Sequence, residues 1–375
     1  MGLAGLAAAM GIGRFAFTPM LPLMQQSAGI TLSQGAWLAS VNYLGYLVGA
    51  VVSFLFAMPA AAAARWGLVA VAASTFAAAF ARSLPLWLVL RLVAGAASAF
   101  VLIGISAWAL AVLARSDRLH WSGWVFAGVG AGICFAGLTA LIVPATGAST
   151  GLAWGVMGAF AAAVAGYAWR PLGRIDPGAR LGNAGGTGAL DARAWILIGC
   201  YGVFGFGYIL PATFIPAAAR ALTTDPRLFG LAWPVFGLAA AVSTIVTPRV
   251  AGRLAPRTVA AGSLALMGAG VLLPTVAKGL GGLCASAACV GGTFMVVTMA
   301  CVQEARRIGG TGSGRLIAAM TAAFAVGQFI GPLAVTPAAA VQDAISRPSI
   351  AAGTLLLLSG TVLALQRSCS LPTQP

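Results

Sequence analysis

The chain has 375 residues, of which 60% are hydrophobic and only 7% charged, and its mean hydropathy is +0.98. A soluble domain carries about 25% charged residues to meet water, so a water-soluble globule is excluded and hydrocarbon must face most of the exterior. The formal net charge of +15 does not point to nucleic acid, because the arginines lie scattered between long apolar runs and form no single basic face.

A hydrocarbon core about 30 Å thick takes roughly 20 apolar residues of helix to cross. Runs bounded by charge, Pro and Gly predict twelve such spans, at approximately 2–27, 35–58, 66–82, 85–113, 121–145, 150–169, 193–219, 228–247, 257–276, 279–303, 313–339 and 347–366. The first run has no basic segment before it and carries Arg14 where a signal peptide needs its most apolar stretch, so it reads as a span.

Of the 21 basic residues, Arg14 and Arg91 fall inside spans. Arg82, Arg220, Arg227, Lys278 and Arg347 fall between spans on one side, and all the others, from Arg65 to Arg367, fall on the opposite side. The positive-inside rule makes that richer side cytoplasmic. Both termini are then expected in the cytoplasm, in a multi-pass membrane protein.

The longest polar stretch, 170–192, is rich in Gly, Pro and Arg and reads as a cytoplasmic linker. It divides the chain into six-span halves, 1–169 and 193–375. Similar local patterns recur in matching order. Gly13-Arg-Phe-Ala-Phe-Thr-Pro19 in the first span answers Gly205-Phe-Gly-Tyr-Ile-Leu-Pro211 in the seventh. Trp37 and Trp233 follow an Ala at the start of spans two and eight, and Ser122 and Ser313 open spans five and eleven with Ser-Gly. A duplicated six-helix unit is expected.

Several stretches carry a family resemblance. They are Gly11-Ile-Gly-Arg14-Phe-Ala-Phe-Thr-Pro19-Met-Leu-Pro22, Gly35-Ala-Trp37 through Asn42-Tyr43-Leu-Gly45-Tyr46, Arg91-Leu-Val-Ala-Gly95, Gly128-Val-Gly130-Ala-Gly132, Gly205 through Phe214, and Gly291-Gly-Thr-Phe294. With them the chain resembles YbfB/YjiJ-type proteins of the major facilitator superfamily, over nearly its whole length. The resemblance implies an all-α, major-facilitator-like fold of twelve helices and a secondary-active carrier working by alternating access. It also implies that spans one and four line a central cavity. The chain departs from the superfamily between spans two and three. That loop usually holds an Asp and several basic residues, whereas Met58 to Gly67 holds Arg65 alone and no acid, so the charge-relay gate of that loop is not carried over.

Charge inside a membrane costs roughly 2.5–3.5 kcal/mol per residue on insertion scales, and so marks function or a partner. Arg14 and Arg91 could clamp a carboxylate or phosphate between two guanidinium groups, or could bond backbone carbonyls and hold helices together. Asn42 and Tyr46 lie four apart on span two, Tyr201 and Tyr208 seven apart on span seven, and Gln328 lies within span eleven. Each of these polar groups needs a partner, which a substrate or another helix can supply. The acids Asp117, Asp176, Asp191, Asp225, Glu304 and Asp343 fall in loops or at span ends, and the single histidine, His120, starts span five. No titratable carboxylate is offered at mid-membrane to relay protons or attract a cation.

The expected function is therefore transport, with a small organic anion favoured over a hydrophobic or cationic export substrate. A sensor role is disfavoured, because no soluble domain is appended. No H-E-x-x-H is present and the histidine is not mid-span, so enzymatic hydrolysis lacks its base. No cofactor or metal is expected. The six cysteines have no C-x-x-C spacing, and those within the spans read as packing residues. The glycine strings lack the strand-turn-helix setting of a nucleotide loop. The partners expected are a small-molecule substrate and the lipid bilayer, with one copy of the chain functioning alone.

Overall fold

The computed structural model describes residues 1–56, 58–118, 121–175, 178–181, 191–223, 225, 230–250, 253–309, 313–335 and 341–366, with backbone alone at 144, 180, 314 and 341–344. His120, Asp176, Arg227, Arg367, Cys369 and linker residues 182–190 lie outside the described residues, as does the side chain of Asp343.

Among the described residues, twelve helices are long and apolar enough to cross a membrane. Span 1 covers Gly2–Ala28. Spans 2 to 6 are Leu32–Leu55, Ala60–Ala78, Leu84–Arg115, Ser122–Ala145 and Thr150–Arg174. Spans 7 to 12 are Ala192–Leu222, Ala232–Val250, Pro256–Val276, Leu280–Gly309, Ser313–Leu333 and Val341–Leu365.

The number agrees with the sequence reading, and several ends differ. Span 3 starts at Ala60 and not near 66, because the alanine run after Pro59 is itself strongly helical. Span 6 runs past 169 to Arg174, with Pro171 inside it and an arginine in its last turn, where positive charge meets the negative end of the helix dipole. Span 10 likewise continues beyond 303, supported by an ion pair of Arg307 with Glu304 at 3.3 Å. Span 11 ends at Leu333, directly after Pro332.

Span 1 is buried from Gly5 to Met24, while the other spans leave one side outward, with Val48, Val89, Leu238 and Leu358 among their exposed apolar residues. Span 2 packs on span 4, span 3 on spans 4 and 6, and span 1 on span 5. Six spans later the pattern returns: span 8 on span 10, span 9 on spans 10 and 12, span 7 on span 11. The two sets meet chiefly along spans 5 and 8 and spans 2 and 11. Within a set, small residues let backbones touch. A Cβ at Gly11 would lie 2.2 Å from the Gly132 carbonyl carbon, and one at Gly95 would lie 2.0 Å from the Asn42 carbonyl oxygen.

The linker is partly built into the fold. Strand β2 (Arg180–Leu181) pairs antiparallel with strand β1 (Met58–Pro59), Met58 opposite Leu181 and Pro59 opposite Arg180. The Ala60 N–H donates to the Ala179 carbonyl at 3.0 Å, and Trp108 Nε1 donates to the Ile175 carbonyl at 2.8 Å. Leu181 is buried.

One stretch, Gly147-Ala-Ser149-Thr-Gly151, has the G-x-S-x-G spacing of a hydrolase nucleophile. Here Ser149 is the N-cap of span 6, its hydroxyl accepting from the Leu152 N–H at 3.2 Å. That is a capping role, without the preceding strand that the nucleophile turn requires.

Candidate substrate-binding site

The site grows from a break in span 1. Its first turn is α-helical (Gly2–Leu6), its next eight residues are π-helical (Ala7–Arg14), and α-helix resumes at Phe17–Ala28. The Phe15 N–H reaches back five residues to Met10 at 3.0 Å, and the Thr18 N–H reaches only three, to Phe15, at 3.2 Å. Pro19 then brings no N–H at all. Such irregular turns leave carbonyls to be satisfied from outside the helix, and they concentrate at functional sites.

Two side chains from other spans meet those carbonyls. Arg91 donates from Nη1 to the Gly13 carbonyl at 3.3 Å and from Nη2 to the Arg14 carbonyl at 3.0 Å. Asn42 donates from Nδ2 to the Arg91 carbonyl at 2.8 Å and to the Gly13 carbonyl at 3.4 Å. Spans 1, 2 and 4 are thus locked at the level of the break. The Arg91 guanidinium also lies 5.0 Å from the Phe17 ring centroid. A single ammonium cannot span two carbonyls as a planar fork does, so Arg91→Lys should fold with reduced stability, by about 1–3 kcal/mol. Thermal unfolding in detergent reads this loss, and an unchanged midpoint would remove the capping role.

Arg14 turns the other way, toward the second half of the chain. Its Nη2 donates to Gln328 Oε1, and Gln328 Nε2 donates to the Tyr208 hydroxyl. The guanidinium sits 3.9 Å from the centroid of Tyr46, with the rings of Phe15 and Tyr43 at 5.4 and 5.6 Å. Arg14 is 2% exposed, Gln328 0% and Tyr208 1%. The Nε of Arg14 is buried without a hydrogen-bond partner. Among the described acids, Asp117 and Asp225 are exposed outside helices, Asp191 caps span 7 and Glu304 pairs with Arg307, so none of them neutralises Arg14.

An aromatic wall completes the surroundings. The Tyr208 ring stacks on Phe294 at 5.7 Å and on Phe324 at 5.6 Å, nearly parallel to both. Phe15 from span 1 meets Trp233 and Phe294 at 6.4 and 6.0 Å.

Of the residues singled out from sequence, Arg14, Tyr46, Tyr208 and Gln328 come together at one point from four spans. Asn42 and Arg91 adjoin them but bond span 1 backbone. Tyr201 packs against Phe204 and Phe324 at 5.3 and 5.2 Å, so it reaches the site through the ring that stacks on Tyr208. Tyr43, Phe294 and Phe324 belong to the site and were not foreseen. Tyr43 has a sequence signal, lying three residues before Tyr46 and so on the same helix side. The phenylalanines have none in so apolar a chain.

Towards one end of the bundle the two halves are tied by hydrogen bonds. Thr18 Oγ1 donates to the Ala212 carbonyl at 2.8 Å, Ser40 Oγ donates to the Phe329 carbonyl at 3.0 Å, and Tyr43 and Thr213 share a bond of 3.2 Å. Arg220 Nη1 donates to the Pro22 carbonyl at 3.0 Å.

A family model described as an uncharacterised MFS-type transporter, YbfB, matches residues 6–364. No curated protein matches the chain. Twelve membrane-crossing helices and a family match across almost the whole sequence lead to one conclusion: this chain is a multi-pass membrane protein that belongs to the YbfB-type family of major-facilitator transporters.

Proposed function

We propose that the chain is an alternating-access carrier for a small organic anion, with Arg14 as the residue that holds the anion's charge. The observation that carries this reading is that the buried Arg14 guanidinium faces the Gln328 side chain and aromatic rings with no described acid to neutralise it, whereas Arg91, whose Nε is equally unpartnered, spends both terminal nitrogens on span 1 carbonyls. A carboxylate entering beside Arg14 would supply the missing countercharge and a bidentate, charge-assisted pair. Gln328 and Tyr208 would orient it, and the Tyr208–Phe294–Phe324 stack would take the substrate's apolar part. Binding and release account for the activity; the chain is not an enzyme.

The same reading gives the halves, 1–169 and 193–375, as the two moving bodies, in one chain acting alone. The repeated packing pattern and the narrow set of cross-half bonds at one end support it. With the arginine-rich loops and both termini in the cytoplasm of a bacterial inner membrane, those bonds lie on the outer side, and the site opens inward when the other end parts.

A thermal-shift screen of the purified protein against carboxylates, phosphates and hydrophobic cations tests the assignment. Saturating carboxylate at about 100 times its Kd should add about 2.7 kcal/mol of stability. Stabilisation by cations with none by anions would replace the anion carrier with a drug-type exporter drawing on the aromatic wall.

A further inference from the structure

The two halves treat one equivalent place differently. In the first half, the corner where spans 2, 3 and 4 end is filled by the chain itself. Strand β2 pairs with the loop between spans 2 and 3, Ala179 caps the first amide of span 3, and buried Leu181 supplies apolar filling. In the second half, the corresponding corner of spans 8, 9 and 10 holds a cavity of about 310 Å³. Its walls include Pro248, Leu254, Pro256, Val259, Val296 and Met299, with Thr247 and Gln303 as polar members.

Basic residues flank this cavity. Arg249 and Arg253 are exposed and adjoin wall residues Pro248 and Leu254, and half-buried Arg257 follows Pro256. Arg249 donates to the Ile245 carbonyl at 2.6 Å, and Arg257 donates to the Gln366 carbonyl. Glu304, beside Gln303, is held by Arg307 at 3.3 Å. Span 9 also begins here, and its N-cap Ala255 offers no side chain to the first turn, so the positive end of the helix dipole faces the same corner. Exposed Val246, Val250 and Leu254 add apolar surface beside the arginines.

We propose that this corner is a binding site for an anionic phospholipid, with the phosphate at Arg249 and Arg253 and the glycerol and first acyl carbons in the cavity. A free anion would use the charge but not the apolar walls. A polypeptide plug like β2 would satisfy the walls but not the row of arginines. An anionic lipid satisfies both, at the membrane boundary where basic pockets between helices take such headgroups.

The test uses the full-length protein in detergent, titrated with phosphatidylglycerol, phosphatidylcholine or inorganic phosphate while thermal unfolding is followed. Phosphatidylglycerol should raise the midpoint by about 3 °C or more, and phosphatidylcholine and phosphate should do much less. The rise should shrink by at least about half in an Arg249→Gln/Arg253→Gln double variant, whose changes are on the surface. It should shrink similarly in Val259→Trp, which fills the cavity without altering charge. Native mass spectrometry should show one retained anionic lipid in the parent and depletion in both variants. An equal rise with phosphatidylcholine or phosphate would overturn the proposal, as would an undiminished phosphatidylglycerol effect in both variants.

Discussion

Arg14→Gln should insert, fold and unfold thermally near the parent midpoint while carboxylate uptake falls about 100-fold or more. The two halves of that expectation have different causes. Arg14 is a buried cation with one hydrogen bond to Gln328 and ring contacts, and no described acid neutralises it. Its contact with the Tyr46 face contributes about 0.5–2 kcal/mol and its hydrogen bond to Gln328 about 1.5–3 kcal/mol, together close to the roughly 2.5–3.5 kcal/mol that charge costs within the membrane. Glutamine removes the charge and its cost and keeps an amide donor for Gln328, so the fold itself should lose little. With substrate bound, the comparison reverses. Loss of the charged partner leaves a carboxylate buried and unpaired, which costs about 2–5 kcal/mol. Reconstituted proteoliposomes loaded with the carboxylate found by thermal screening measure the uptake, and circular dichroism melts measure the fold. Parent-like uptake in the variant would end the anion-clamp reading. A lower midpoint alongside lost uptake would make Arg14 a structural residue.

Gly95→Leu should yield little or no monodisperse protein. A Cβ at this position would stand 2.0 Å from the Asn42 carbonyl oxygen, 2.9 Å from its carbon and 3.0 Å from the Tyr46 nitrogen. All three are backbone atoms of span 2, so no rotamer change can relieve the clash, and the helices themselves must part. Parting them also draws Asn42 away from the Arg91 carbonyl, where it donates at 2.8 Å, and Arg91 away from the break it caps. Overpacking alone costs about 1–3 kcal/mol, and each buried group left unbonded adds about 1–3 kcal/mol. Gly166→Leu is the control, because no neighbouring atom lies within 4 Å of a Cβ there. Size-exclusion profiles of the two variants decide the matter: similar profiles would show that the span 2–span 4 approach is not limiting.

The spans were readable in the sequence because lipid enforces long apolar runs, and each run is visible residue by residue. Their ends were less so. Arg170 to Arg174 looked like linker by composition, yet a helix end tolerates arginine at the membrane boundary and the fold keeps those residues helical. Polar residues in apolar runs pointed to Arg14, Tyr46, Tyr208 and Gln328, since each is expensive there wherever its partner comes from. The division between Arg14 and Arg91 could not be read in the same way. Both arginines carry the same cost in sequence, and what separates them is geometry. Arg91 meets main-chain carbonyls, which every residue possesses, whereas Arg14 meets a side-chain amide three hundred and fourteen positions away. Phe294 and Phe324 stayed hidden because an aromatic ring in an apolar helix looks the same whether it faces lipid, core or ligand.

The π-helical stretch before Arg14 has a consequence for how this span tolerates changes of length. Each residue of an α-helix turns the chain by about 100°, so losing one residue from a regular span swings every later side chain to another face. Ala7–Arg14 is wound with wider loops, and such a stretch is one residue longer than the α-helical path between the same two points. A deletion among Ala7, Ala8 and Ala9 can therefore be absorbed by a return to ordinary winding, with Leu3 and Arg14 both keeping their headings. The same deletion after Phe17 would turn the span's outer end against its neighbours. A one-residue change of length in the first helix should thus be borne best by the turns that aim the arginine.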